Sequence, residues 1–138
     1  MCQILLVDDE FLTIQAIEQN INWKSCGIKR VCLSDNVPQA REQLVQEKIA
    51  MVISDIEVAG EDGISFVSWI RRERPWMPVF FLTGFAEFEY AKAAVSLQVE
   101  DYILKPVNYR ELEEKIRSAM EKVERKKQEG QMQQQYAL

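Results

Sequence analysis

Residues 50–63 read AMVISDIEVAGEDG, and this stretch decides the fold. The apolar run 51–53 is short and ends in two β-branched residues, which predicts a buried strand rather than a helix. A carboxylate, Asp55, follows at once, and the loop after it is rich in turn-forming residues. Because open α/β sheets bind their ligands at the carboxyl ends of the strands, Asp55 is expected at the mouth of such a sheet.

Three other short apolar stretches also end on side chains that can bind a ligand: residues 4–7 on Asp8 and Asp9, residues 79–82 on Thr83, and residues 102–104 on Lys105. A further strand is predicted over 28–33. Apolar residues at helical spacing predict helices between the strands, over about 10–21, 37–48, 64–73 and 87–97, and from about residue 108. This alternation predicts a parallel α/β sheet with helices on both faces.

The composition argues against several classes of functional site. The chain has 138 residues and a net charge of −5, which argues against a nucleic-acid surface on this domain. It contains no His, so His-based acid–base catalysis and His-ligated metal sites are excluded. The three Cys lack metal-like spacing, which favours reduced thiols. With neither a signal peptide nor a membrane-spanning stretch in the sequence, we expect a cytoplasmic protein that makes no membrane contact.

The acidic residues predict a metal site if the first and third strands are neighbours. Asp8, Asp9 and Asp55 would then converge, and like charges at that distance repel and raise one another's pKa. A divalent cation resolves the repulsion, and a site of oxygen ligands alone suits Mg²⁺. With Lys105 and Thr83 beside it, Asp55 is placed to attack a phosphoryl group and become an acyl phosphate.

Each residue has a simpler interpretation on its own. The Asp8-Asp9 pair is typical of a helix N-cap, Thr83 of a turn, and Lys105 of a solvated surface. Their common place at strand ends favours the phosphoryl-transfer hypothesis over coincidence.

Four motifs together resemble the receiver domain of bacterial two-component response regulators: LLVDDE (5–10), the 55–63 loop, LTG (82–84) and YILKP (102–106). The resemblance covers about residues 2–123. Two further stretches, INW (21–23) and TGFAEFEYA (83–91), are similar to receivers of regulators that carry an AraC-type DNA-binding output.

The resemblance implies a flavodoxin-like (βα)5 fold, doubly wound, with strand order 2-1-3-4-5. It implies a receiver domain over residues 1–124, followed by a polar linker or helix extension over 125–138. A homodimer would form through residues 87–123 on activation. DNA binding would require an output domain that is absent from this chain, and the domain would catalyse only its own phosphotransfer and dephosphorylation rather than act as an enzyme.

The same resemblance assigns roles to site residues. Asp55 would accept phosphate from a sensor histidine kinase. Asp9, Asp55 and the backbone carbonyl of Glu57 would ligate Mg²⁺, and Asp8 would act largely through water. Thr83 and Lys105 would bind the phosphoryl group, and Tyr102 would be the switch aromatic that follows Thr83. The Lys105–Pro106 peptide is expected to be cis, as is usual in the family.

Two alternatives remain open. One is a pseudo-receiver that signals by contact alone, because Val58-Ala59 stands where the family usually has Met-Pro. The other is an aspartyl-phosphate phosphatase of haloacid-dehalogenase type, in which Glu57 would be the second acid. At the other end of the chain, the basic cluster 125–127 is interpreted as a partner of the last helix's C-terminal dipole, with a linker or frayed end beyond it.

Overall fold

The structure, a computed structural model, describes residues 3–58, 61–84 and 96–136. The main sheet consists of five strands: β1 (Gln3–Val7), β2 (Arg30–Ser34), β3 (Ile49–Asp55), β6 (Val79–Thr83) and β7 (Asp101–Leu104). A two-stranded hairpin is formed by β4 (Glu57–Val58) and β5 (Glu61–Asp62). The helices are α1 (Phe11–Asn20), α2 (Val37–Gln46), α3 (Gly63–Glu73) and a C-terminal helix (Tyr109–Tyr136), with a 3₁₀ turn at Lys24–Cys26.

The main sheet has the order β2-β1-β3-β6-β7, and all of its neighbouring strands are parallel. This is the predicted order 2-1-3-4-5 once the hairpin strands are left out of the count, so the predicted flavodoxin-like topology is confirmed. The strand predicted over 28–33 begins two residues later, at Arg30.

Helices cover both faces of the sheet. On one face α1 and the C-terminal helix pack on residues such as Leu6, Ile53 and Leu82. On the other face α2 and α3 pack on residues such as Leu5 and Val52. The central strands are buried on both sides, which is why they are continuous apolar runs rather than alternating ones.

Two asparagine N-caps set where helices begin. Asn36 Oδ1 accepts a hydrogen bond from the backbone N–H of Gln39 at 2.8 Å, at the start of α2. Asn108 Oδ1 accepts one from the N–H of Glu111 at 3.1 Å, at the start of the C-terminal helix. Each bond satisfies a backbone donor that the first helical turn leaves unpaired.

The C-terminal helix is longer than its apolar pattern predicts. It continues to Tyr136, so residues 125–136 form the helix extension that was one of the two expectations for 125–138, and the chain does not fray directly after residue 126. The basic cluster 125–127 therefore lies inside the helix, where it cannot partner the C-terminal dipole as predicted. No helix in the described part of the chain is both long and apolar enough to cross a membrane. The helix predicted over 87–97 falls almost wholly on residues 85–95, outside the described residues.

A carboxylate cluster at the carboxyl edge of the sheet

The strand register brings the acidic residues together. Val7, the last residue of β1, pairs with Ser54 of the neighbouring strand β3. Asp8 and Asp55 follow these two residues directly, so they lie side by side at the carboxyl edge of the sheet. Carboxylate oxygens of Asp8, Asp9 and Asp55 all lie within 4.8 Å of one another. The structure thus brings together the three carboxylates that the sequence predicts to converge.

Burial controls the electrostatics of this cluster. Asp8 is fully buried and Asp55 is 5% exposed, whereas Asp9 faces solvent. Burial penalises the charged form and, with the nearby charge of Asp55, raises the pKa of Asp8 to about 7. Burial likewise raises the pKa of Asp55, although the Lys105 ammonium opposes that shift. In the absence of a metal ion, Asp8 and Asp55 therefore keep their protons to a higher pH than separate carboxyls in water do.

Lys105 supplies the positive charge of the site. Its Nζ lies 3.0 Å from Asp8 Oδ2 and 3.2 Å from Asp55 Oδ2. Burial lowers the pKa of Lys105, but the two carboxylates more than compensate and raise it. The backbone N–H of Lys105 donates to the Thr83 carbonyl at 2.9 Å, and the Lys105–Pro106 peptide is cis, as expected. The carboxylates of Asp8 and Asp55 thus share the Lys105 ammonium.

Thr83 and Tyr102 lie on the opposite side of Asp55 from Asp8. Thr83 ends β6 with 3% exposure, and its hydroxyl donates to the Gly84 carbonyl at 3.1 Å. Tyr102 is half-buried on β7, the strand next to β6. Both residues line a cavity of about 670 Å³ that reaches the C-terminal helix at Leu112 and Lys115.

The loop that follows Asp55 contains the β4–β5 hairpin. Glu57 is exposed and stands opposite Asp62 in the antiparallel backbone pairing of β4 and β5. Val58 is 4% exposed and packs into the core. Gly63 donates its backbone N–H to the Ile56 carbonyl at 2.8 Å. A Cβ on Gly63 would collide with the backbone carbonyls of Asp55 and Ile56. The sequence marked this stretch only as a turn-rich loop, because a two-residue strand leaves no periodic signal.

The chemistry of the cluster fits a magnesium ion. All three side chains are carboxylates, and oxygen is the ligand that Mg²⁺ prefers. The buried Oδ1 of Asp55 accepts no hydrogen bond from the residues that the structure describes. Buried polar atoms are normally satisfied, so this oxygen has capacity for a further partner. Burial raises the pKa of both Asp8 and Asp55, so their charged forms would gain from a bound cation.

Comparison with known proteins agrees with this geometry. Residues 4–117 match the family described as response regulator receiver domain. An uncharacterized transcriptional regulatory protein, YesN of Bacillus subtilis (strain 168), is 34% identical over 123 residues, which are 89% of this chain and 32% of that protein. The transcriptional regulatory protein HptR of Staphylococcus aureus (strain NCTC 8325 / PS 47) is 27% identical over 82% of this chain and 44% of its own length. The chain spans less than half of each relative.

Two solved structures are also similar. The receiver domain of AraT, a response regulator from Geobacillus stearothermophilus, has a TM-score of 0.85 and 28% identity, covering 91% of this chain and 97% of that one. A two-component transcriptional regulator AraC from Clostridium phytofermentans ISDg has a TM-score of 0.84 and 28% identity, with the same coverage of 91% and 97%. The predicted likeness to receivers of AraC-type regulators is confirmed at this level.

Proposed function

The chain belongs to the response regulator receiver domain family, and we propose that it is a phosphorylation-dependent switch that accepts a phosphoryl group on Asp55. One observation carries the proposal: the buried Asp55 carboxylate lies within 4.8 Å of the Asp8 and Asp9 carboxylate oxygens and 3.2 Å from the Lys105 ammonium. A nucleophile, a set of metal ligands and a cation that can neutralise a phosphoryl oxygen are thereby gathered at one strand edge.

The chemistry is transfer from a phosphohistidine of a sensor histidine kinase. An Asp55 oxygen forms a bond to phosphorus while the phosphorus–nitrogen bond breaks, and its electron pair returns to the imidazole, which takes up a proton. Lys105 binds one oxygen of the transferred group, and the Thr83 hydroxyl donates to another. Lys105 then exchanges one carboxylate contact for a phosphoryl contact.

Asp8, Asp9 and Asp55 would hold the magnesium ion, with the backbone carbonyl of Glu57 as a further ligand. When bound, Mg²⁺ neutralises negative charge on the carboxylates and on the phosphoryl oxygens. The donor set supports this assignment, since Asp9 is open to solvent while Asp8 and Asp55 lie beneath it.

The switch would join Thr83 to Tyr102. A phosphoryl group on Asp55 attracts the Thr83 hydroxyl, and the cavity that both residues line admits the Tyr102 ring once that hydroxyl has moved. Such a local change biases a two-state element. The affected surface would be the predicted homodimer face over 87–123, of which residues 96–123 are described; Leu104 on this face is 52% exposed.

The domain would work in the cytoplasm, where histidine kinases present their phosphohistidine. It would turn over only its own phosphate, and its output would be transcriptional control by a DNA-binding domain elsewhere in the full-length regulator. The names of the YesN and HptR relatives, both transcriptional regulatory proteins, support that output.

Acetyl phosphate with Mg²⁺ tests the proposal. We expect intact-mass spectrometry to show one phosphoryl adduct, which a peptide map assigns to Asp55. The adduct should be absent from Asp55→Asn and from protein treated with a chelator. Ser54→Ala is the matched control, because Ser54 precedes Asp55 on the same buried strand but directs its hydroxyl to the Asp55 backbone carbonyl, 3.0 Å away.

A Mg²⁺-dependent adduct that persists in Asp55→Asn would disprove the assignment of the acceptor. Absence of any adduct, together with no Mg²⁺ binding, would favour the pseudo-receiver that signals by contact alone. Sustained release of phosphate from small esters would favour the phosphatase instead.

A further inference from the structure

A groove lies at the amino ends of the parallel strands, whereas Asp55 lies at their carboxyl ends. It has a volume of about 430 Å³, and its lining includes Ile49, the first residue of β3, and Pro78, which directly precedes β6. The C-terminal helix forms one wall. Because β3 runs from Ile49 to Asp55 and a strand rises about 3.3 Å per residue, the two edges are about 20 Å apart. A ligand in this groove would leave the carboxylate cluster accessible.

The groove is strongly basic in an acidic protein. Four lysines line it, Lys48, Lys122, Lys126 and Lys127, against a single acid, Glu100. Lys122 Nζ already pairs with Glu100 at 3.3 Å, whereas the other three lysines form no ion pair within the described part of the chain. The lining therefore carries a net charge of +3, and since the chain carries −5, the rest of it carries −8.

An exposed tryptophan lies among these lysines. Trp76, in the turn between α3 and β6, lines the groove and is 63% exposed, although its neighbour Met77 is buried. Val123 and Ala50 add apolar surface beside it. Trp carries a large apolar surface and is enriched where proteins bind one another. The groove thus offers an apolar surface framed by positive charge.

We propose that this groove binds an acidic peptide segment of a partner protein, with an aliphatic or aromatic side chain of that segment covering Trp76. The unpaired lysines Lys48, Lys126 and Lys127 would contact the acidic residues on either side. The extension of the C-terminal helix contributes to the site, because Lys126 stands where the apolar pattern stops and Lys127 lies just beyond it, both within the helix.

The charge distribution favours a short peptide over a nucleic acid. A nucleic acid carries phosphates along its whole length, and those beyond the groove would meet the rest of the chain, which carries a net charge of −8. A short acidic segment places its charge only where the lysines are. The volume of the groove also suits one or two apolar side chains rather than a helix or a folded domain.

A fluorescein-labelled peptide, EDELFEDE, tests this proposal by fluorescence anisotropy. We expect saturable binding that weakens as salt is added, because exposed charges are screened. The peptide QNQLFQNQ, which lacks the charge, and EDEGGEDE, which lacks the apolar pair, should each bind about tenfold more weakly. Binding to Asp55→Asn should equal binding to the original chain, so failure of the phosphorylation proposal would be distinguishable from failure of this one.

Variants locate the site. The double change Lys126→Glu and Lys127→Glu, and separately Trp76→Ala, should each weaken binding about tenfold. The matched control is Lys24→Glu with Lys29→Glu, which makes the same change of charge at exposed lysines outside the groove. Melting curves verify that each variant is folded, and the exposure of all five positions makes folding expected.

Three results would overturn the proposal. Equal binding by EDELFEDE and EDEGGEDE, or no effect of Trp76→Ala, would leave only nonspecific charge attraction. Stronger binding of a single-stranded oligothymidylate to the same lysines would assign the groove to nucleic acid. Self-association in sedimentation velocity that the same variants abolish would make it an interface between copies of this chain.

Discussion

Lys105 Nζ lies 3.0 Å from Asp8 Oδ2, and this contact joins the ends of two strands that are not neighbours. Asp8 follows β1 and Lys105 follows β7, with β3 and β6 between them in the sheet. Strands spaced about 4.8 Å apart put these two strands about 14 Å from each other. The lysine side chain therefore extends back across the edge of the sheet and contacts two of the three carboxylates of the cluster, Asp8 and Asp55.

Replacing Lys105 with Met should raise the pKa values of both Asp8 and Asp55. The lysine lowers the pKa of each carboxyl, and in its absence fewer interactions oppose the effect of burial. A ¹³C NMR titration of the aspartate carboxyls in metal-free buffer measures both values. Lys115→Met is the control, since Lys115 pairs with Asp101 at 2.7 Å, away from the cluster. Unchanged titration of Asp8 in Lys105→Met would show that the lysine is not its counter-ion in solution.

The metal-free protein should lose stability as the pH rises from about 4 to 7. In the unfolded chain Asp8 releases its proton near its ordinary value of 3.8, whereas the folded protein keeps that proton up to a pKa of about 7. The folded state binds more protons over this interval, so raising the pH favours unfolding. The loss should be about 2 to 4 kcal/mol, measured by urea unfolding in the presence of a chelator.

Two changes should weaken this pH dependence. Asp8→Asn eliminates the group whose pKa rises to about 7, so its stability should fall less over the same range, and Asp55, whose pKa burial also raises, accounts for what remains. Saturating Mg²⁺ should restore stability at pH 7 and above, because a cation that binds only the folded state adds about 2.7 kcal/mol at a hundredfold excess over its dissociation constant. An undiminished pH dependence in Asp8→Asn would assign the effect to another group.

Gly63→Ala should destabilise the protein by about 2 to 4 kcal/mol, because the added Cβ would collide with the backbone carbonyls of Asp55 and Ile56. The Asp55 carbonyl ends β3 and the Ile56 carbonyl follows it directly, so neither can move without displacing Asp55. Gly84→Ala is the control, since a Cβ there meets no atom of the described residues within 4 Å. Chemical unfolding measures both variants, and equal stability would show that the loop relaxes around the methyl group.

Arg71→Met should cost about 2 to 4 kcal/mol. The Arg71 guanidinium donates to four backbone carbonyls: Leu97 at 2.7 Å, Met77 at 2.6 Å, and Pro75 and Gln98 at 3.2 Å each. It thereby ties the end of α3 to the segment that leads into β7. Arg72→Met is the neighbouring control, because Arg72 is exposed. If thermal melting shows equal loss in both variants, the effect belongs to helix α3 itself and not to these bonds.

Much of the site could be predicted because it depends on strand ends. An apolar run that stops at Asp55, Thr83 or Lys105 is visible in the sequence, and parallel strands place all their carboxyl ends at one edge. The hairpin after Asp55 and the bonds of Arg71 could not be predicted in this way. Both depend on backbone carbonyls that come close only after the chain has folded.

The sequence by itself determined the order of strands and helices and the chemical identity of the site residues, because hydrophobic periodicity and helix caps are local. Only the tertiary structure decided how the charges are shared: Asp8 is fully buried, and Lys105 lies between it and Asp55. It also brought the distant Trp76 and Lys126 to one groove. Desolvation and Coulomb energy depend on distances across the fold, and no local pattern in the chain records those distances.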